Sequence, residues 1–302
     1  MRGLRARDAL VGVTAFALVM AAMLYVLAEQ RFAGSWPTAD RTVVATADDA
    51  SYLDLVDGTQ RQATLKRQRT VRRTFSTVPG ADAVLVSTNT VTADGDVVSR
   101  QRWTAAQRRF TGSAVDSTAN VEKFASFNES GDAVEEDRQL RGVRGILVRF
   151  PRDTQPVTYR RWDPETRQTG EAVFLRTERL HGAEVLVFRQ VEKASTDADG
   201  TSTRSDTTLW VRPEVGGVVK TASHVVVRAS ADGQPTLDAR FVDSASSVRQ
   251  ASRDVDREMV RQRVRSTVLP GMAVLVGILA GVATVIMGRP GGFSWRRRRA
   301  RQ

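Results

Sequence analysis

Residues 268–287 read VLPGMAVLVGILAGVATVIM, twenty positions without a charged side chain, followed by Gly288-Arg289 and then Arg296, Arg297, Arg298 and Arg299. At about 1.5 Å rise per residue, a helix of that length reaches roughly 30 Å, the thickness of a bilayer's hydrocarbon core. A single helix there satisfies every backbone N–H and C=O internally. A second apolar run, 9–28, follows a short basic head at 1–8. The apolar part of a secretory signal runs about 7–15 residues, so this longer stretch reads as an uncleaved anchor. The pair predicts two terminal transmembrane α-helices.

Charge sets the expected orientation. Arg2, Arg5 and Arg7 precede the first run, and only Arg31 and Arg41 follow it closely, which predicts a cytoplasmic N-terminus. Two spans return the C-terminus to the same side, at a plasma membrane with the main domain extracytoplasmic. Arg296, Arg297, Arg298 and Arg299 are then candidates for anionic lipid headgroups. The formal net charge is +11. Residues 1–8 carry +2 of it and the tail from Arg289 carries +6, leaving +3 for everything between. Basicity confined to the ends does not describe a nucleic-acid stripe. Cysteine is absent, which excludes disulfides, thiolate catalysis and cysteine-based metal sites.

Between the apolar runs, short strand patterns alternate with turn signals. The runs 83–86 and 97–98 flank Asp94-Gly95; 172–180 and 183–191 flank His181-Gly182, a hairpin signal. The run 146–150 stops at Pro151 and 158–162 stops at Asp163-Pro164. In 183–191, Val185, Val187 and Val191 share one face while Leu186 and Phe188 take the other, which predicts an interior strand. The stretch 196–206 reads as a polar loop, after which 209–211, 218–228 and 236–242 read as strands. Helical patterning is weak over 118–129 and 132–141, and stronger over 244–265, where Val248, Val255 and Met259 align. The expected fold class is a mainly β ectodomain, an antiparallel curved sheet or barrel, between two terminal transmembrane α-helices. The expected segments are 1–8 head, 9–28 helix, 29–243 β-rich domain, 244–266 connecting helix, 267–288 helix and 289–302 arginine-rich tail.

No catalytic constellation appears. The two histidines read as a solvated turn residue, His181, and a satisfied structural residue, His224. There is no nucleophile elbow, phosphate-cradling glycine loop or H-E-x-x-H run. Asp197 and Asp199 lack the remaining ligands of a calcium loop, and Asn128-Glu129-Ser130 matches a glycosylation acceptor. The chain is therefore read as non-enzymatic, with no metal and no cofactor. Trp103, Tyr159, Trp162, Phe174, Phe188, Trp210 and Phe241 are candidates for lining a ligand cavity, with filling of a β core as the competing reading. Ala273, Gly277 and Gly281 form a small-residue face suited to helix packing, against Ala17 and Ala21 or against a second copy of the chain.

Several phrases carry a resemblance: GILVRFP at 145–151, VTYRRWDP at 157–164, TERLHG at 177–182, Val187-Phe188 and LWVRPEVG at 209–216. Together they resemble the PorA family of two-span actinobacterial envelope proteins, long known as a domain of unknown function. The sequence departs from that family at 108–112, RRFTG, where members show an Asp-Arg-x-Thr-Gly turn. Two terminal spans around a β-rich domain also look like the class B scavenger receptors, whose barrels carry lipid through a tunnel. What the resemblance implies is an envelope protein that binds or passes a lipid-like ligand. The alternatives are a structural scaffold of the envelope and an oligomeric, porin-like channel. Membrane lipid, a lipid-like ligand and a homo-oligomer are the expected partners, and nucleic acid is not.

Overall fold

The computed structural model describes residues 40–54, 57–108, 111–127, 133–196, 200–230 and 233–264, with isolated positions nearer the two ends. The chain divides into two compact units, one of residues 36–259 and one of 1–35 with 260–302. The first unit holds twelve strands: β1 Arg41–Leu53, β2 Gln60–Phe75, β3 Ala83–Ala93, β4 Asp96–Gln107, β5 Val121–Phe127, β6 Ala133–Gln139, β7 Tyr159–Asp163, β8 Gln168–Leu180, β9 Ala183–Thr196, β10 Ser202–Arg212, β11 Gly217–Arg228 and β12 Pro235–Asp243. One helix follows, α1 Ala245–Arg263. The strands form a single antiparallel sheet in the order β6-β5-β4-β3-β2-β1-β12-β11-β10-β9-β8-β7.

Local chemistry explains the strand ends. Asp94 and Gly95 both adopt positive φ, 52° and 102°, between the paired residues Ala93 and Asp96. That is the backbone a two-residue hairpin needs if its strands are to keep their right-handed twist. His181-Gly182 repeats it between Leu180 and Ala183, at φ 50° and 81°. Within β3 the side chains alternate without a break, and Ala83, Leu85, Ser87, Asn89, Val91 and Ala93 share the buried face. In β1 the parity changes instead: Ala45 and Ala47 are buried, then Ala50 and Tyr52. A bulge between Ala47 and Ala50, with Asp49 at φ 56°, inserts the residue that restores the inward face.

The sheet curls until β4 and β7 face each other across two connecting segments. Gln107 bridges to Ala114, Ser113 to Ile146, and Ile146 to Arg161 of β7. Main-chain hydrogen bonds run along this seam, from Ala114 N–H to Gly145 at 2.7 Å and from Ile146 N–H to Arg160 at 2.9 Å. The run from β4 round to β7 is thereby closed, and the β5–β6 hairpin extends the sheet from β4. Trp103, Leu85, Leu147 and Trp162 pack together at the seam. On the same inner face, Phe150, Leu186, Phe188, Leu209 and Val211 form a second cluster, and Ala47, Tyr52, Leu65, Val91 and Phe241 a third.

The opposite face of β9–β11 is covered by α1. Ser244 caps this helix, accepting the Ser247 N–H at 3.2 Å. Val248, Ala251 and Val255 turn their side chains inward, and Ala251 and Val255 pack on Val185, Val187, Trp210, Val215 and Val219. This explains why β9 is apolar on both faces over Val185, Leu186, Val187 and Phe188. The inner pair meets the second cluster and the outer pair meets the helix. Arg149 fixes the helix electrostatically, 2.7 Å from Glu258, and also donates to the Val215 carbonyl at 2.6 Å.

Several expectations are corrected. Among the described residues the fold is mainly an antiparallel β-sheet with one helix near its C-terminal end, and not a β domain between two terminal transmembrane helices. Among the described residues no helix is long and apolar enough to cross a membrane. α1 carries Arg249, Arg253, Asp254, Asp256, Arg257 and Glu258, too many charges for the hydrocarbon. Much of 9–28 and 268–287 lies outside the described residues; the helical positions described there, such as Phe16, Val19, Leu275 and Leu279, have exposed side chains. The same finding removes the basis for placing the protein in the plasma membrane with both termini cytoplasmic. It concerns helices only and says nothing of strands. The weak helical patterns over 118–129 and 132–141 are β5 and β6, because their backbones pair with β4 and with each other. The run 146–150 makes bridges but no strand, and most of the stretch 196–206 belongs to β9 and β10.

Candidate ligand site

The inner face of the closed sheet is apolar in patches and charged between them. Arg67 on β2 is 3% exposed; its Nη1 lies 3.3 Å from Glu165 Oε1, its Nη2 donates to Ser223 Oγ at 3.0 Å, and its guanidinium stacks on the Phe241 ring at 4.3 Å. Arg161 donates to Gln190 Oε1 at 2.7 Å, and the Gln190 amide donates in turn to Glu192 at 2.8 Å. Ser205 donates to Asp163. Burial lowers the Arg67 pKa to about 10 and also depresses that of Arg161. Burial raises the carboxyls of Glu192 and Asp243. These shifts follow from taking charge out of water.

Among the described residues, two cavities flank this network. The larger, of about 400 Å³, is bounded by an apolar wall that includes Tyr52, Val91, Val98, Val225, Leu237 and Phe241. Its polar lining includes Arg67, Asn89, Arg100, Arg138, Glu165 and Arg167. Asn89 is 8% exposed and its Oδ1 has no hydrogen-bond partner. A buried polar atom left unpaired costs free energy. The smaller cavity, of about 60 Å³, lies among Arg41, Arg69, Trp103, Arg161, Leu209 and Asp243. Arg67 lines both.

The aromatic candidates separate by place. Phe241 lines the larger cavity and Trp103 the smaller. Trp162 packs edge to face on Trp103, while Tyr159, Phe174 and Phe188 join Phe150 in an aromatic cluster. Trp210 sits under α1, donates from Nε1 to Glu178 at 2.7 Å and carries the Lys220 ammonium over its ring. None of Tyr159, Trp162, Phe174, Phe188 and Trp210 lines either cavity. Ala273, Gly277, Gly281, Ala17, Ala21, Arg296, Arg297, Arg298, Arg299, Asn128, Asp197 and Asp199 lie outside the described residues.

His181 supplies a left-handed turn residue, and His224 Nε2 lies 2.7 Å from Asp238 Oδ1. Among the described residues no group of three or more His, Asp or Glu side chains is arranged to hold a metal ion.

Sequence reasoning missed Arg67, Asn89 and Glu165. The one signal for Arg67 was period-two spacing with Leu65 and Val71, obscured because the alternate positions Lys66, Gln68 and Thr70 are polar as well.

The family model described as Porin PorA matches residues 8–286. The chain belongs to the PorA porin family. The match covers the whole sheet, the seam, α1 and every residue of both cavities. The chain matches no curated protein. Membership carries neither the two-span architecture nor the likeness to scavenger receptors.

Proposed function

We propose that this PorA-family protein is a non-enzymatic binding protein that takes a lipid-like ligand into the interior of its closed sheet. The observation that carries this reading is the cavity of about 400 Å³ with an apolar wall that includes Tyr52, Val91, Val98, Val225, Leu237 and Phe241. Pockets for small ligands span roughly 300–1,000 Å³ and bury most of the ligand against such walls. Each methylene transferred from water contributes about 0.8 kcal/mol, so affinity should climb with chain length at up to roughly fourfold per carbon. Calorimetric titration of the delipidated protein with octanol, decanol and dodecanol measures that slope. A steady rise supports the proposal; no binding, or affinity independent of length, contradicts it.

A second reading is porin-like passage of a solute through the interior. It is favoured by the family's name and by Arg67, which lines both cavities and would offer a solute one continuous polar track. Conductance of the purified protein in planar bilayers tests it, and silence there removes it.

A further inference from the structure

We infer that the ligand of the larger cavity is a single-chain amphiphile with a carboxylate head, seated head-inward at Arg67 and Asn89; the inference rests on the lipid-binding reading above. Charge is the first reason. The charged side chains lining the cavity are Arg67, Arg100, Arg138, Arg167 and Glu165, four guanidiniums against one carboxylate. Glu122 adds a second carboxylate outside the lining, 2.5 Å from Arg167, which leaves four guanidiniums against two carboxylates. A cationic head would meet repulsion there, and an anionic one attraction.

Depth is the second reason. Arg67, Asn89, Val91 and Phe241 are buried, whereas Ser99 and Arg100 are exposed and mark the opening. A head held at the opening would pair with Arg100 in water, where such contacts contribute little. A head at the floor meets Arg67 in a low-dielectric setting, where a charge-assisted bond is much stronger. Arg67 is already positioned for that contact by Glu165, Ser223 and the Phe241 ring. Those two hydrogen bonds engage two of the five N–H donors a guanidinium carries.

The Asn89 carboxamide, buried and in the lining, is the third reason, and it selects the floor. Asn89 Oδ1 has no partner in the protein. Asn89 lines the cavity, and the NH2 of its carboxamide can donate to a carboxylate. The apolar wall from Val225 to Leu237 would receive the chain.

Titration of the delipidated full-length protein with dodecanoate, dodecanol and acetate separates the alternatives. Dodecanoate is expected to bind at least about tenfold more tightly than dodecanol, with acetate far weaker than both, as a bond to a buried charge implies. Asn89→Ala should reduce dodecanoate affinity about tenfold and leave dodecanol unchanged, while Arg100→Ala should alter neither beyond about twofold. Equal binding of dodecanoate and dodecanol overturns the head assignment and leaves the lipid reading standing. Binding of neither overturns both. A loss in Arg100→Ala with none in Asn89→Ala places the head at the opening and overturns the inward orientation.

Discussion

The indole rings of Trp103 on β4 and Trp162 on β7 meet edge to face, their centroids 5.1 Å apart and their planes inclined at 77°. These strands are far apart in the order of the sheet, so the contact exists only because the sheet closes. Both side chains are buried, and the pair should contribute beyond its area. Trp162→Ala is expected to cost about 3–5 kcal/mol in denaturant unfolding, and Trp103→Ala a similar amount. The double variant should cost less than the sum, because the second truncation opens onto the space left by the first. Strict additivity would show that the two rings do not act as one contact.

Gly216 and Gly182 both hold positive φ, 66° and 81°, yet they should respond differently to a methyl group. At Gly182 a Cβ would meet nothing within 4 Å, so Gly182→Ala carries only the cost of a left-handed backbone, about 1–2 kcal/mol. At Gly216 the Cβ would fall on the carbonyl oxygens of Phe150 and Pro151, where the chain passes beside the β10–β11 turn. The Phe150 N–H donates to the Gly216 carbonyl at 2.9 Å, which fixes that approach. Gly216→Ala should therefore lower the melting temperature well beyond Gly182→Ala. Equal shifts in thermal scans would contradict the close passage.

Stability should depend on the charge of Glu192. Burial raises its carboxyl pKa above the ordinary range, and Asp163 adds to the rise against the hydrogen bond from Gln190. The folded state then holds this proton more tightly than the unfolded chain does. The stabilisation is complete below the unfolded pKa of about 4.3 and is lost as pH rises through the folded value. Glu192→Gln carries no charge to bury and should gain on the wild type as pH rises across that window. A melting-temperature difference that stays constant from acid to neutral pH would show that Glu192 does not titrate as its burial implies.

The hairpins were legible in the sequence because their information is local. Asp94-Gly95 and His181-Gly182 sit between alternating runs, and the turns require just those backbone angles. The helix over 244–265 was legible for the same reason, since its apolar stripe repeats within one segment. β2 was not legible. Its sequence, QRQATLKRQRTVRRTF, turns polar side chains to both faces because Arg67 and Arg69 point into a charged interior. β5 and β6 carry weak helical patterns that pairing of β5 with β4 and of β6 with β5 overrides. The site followed the same division. Phe241 is legible as an aromatic, while Arg67 and Asn89 lie in polar stretches of their strands, and only the closure of the sheet places them inside.

The most direct test of an occupied interior uses the absence of cysteine from the chain. Leu237→Cys places a single thiol on the wall of the larger cavity, and Val173→Cys places one at a position 43% exposed and outside that lining. The rate of maleimide labelling is then measured with and without saturating dodecanoate. The account predicts at least about tenfold protection at Leu237→Cys and none at Val173→Cys, as expected for a ligand that buries most of its surface in the pocket. Unchanged labelling at Leu237→Cys, with dodecanoate bound, would contradict it.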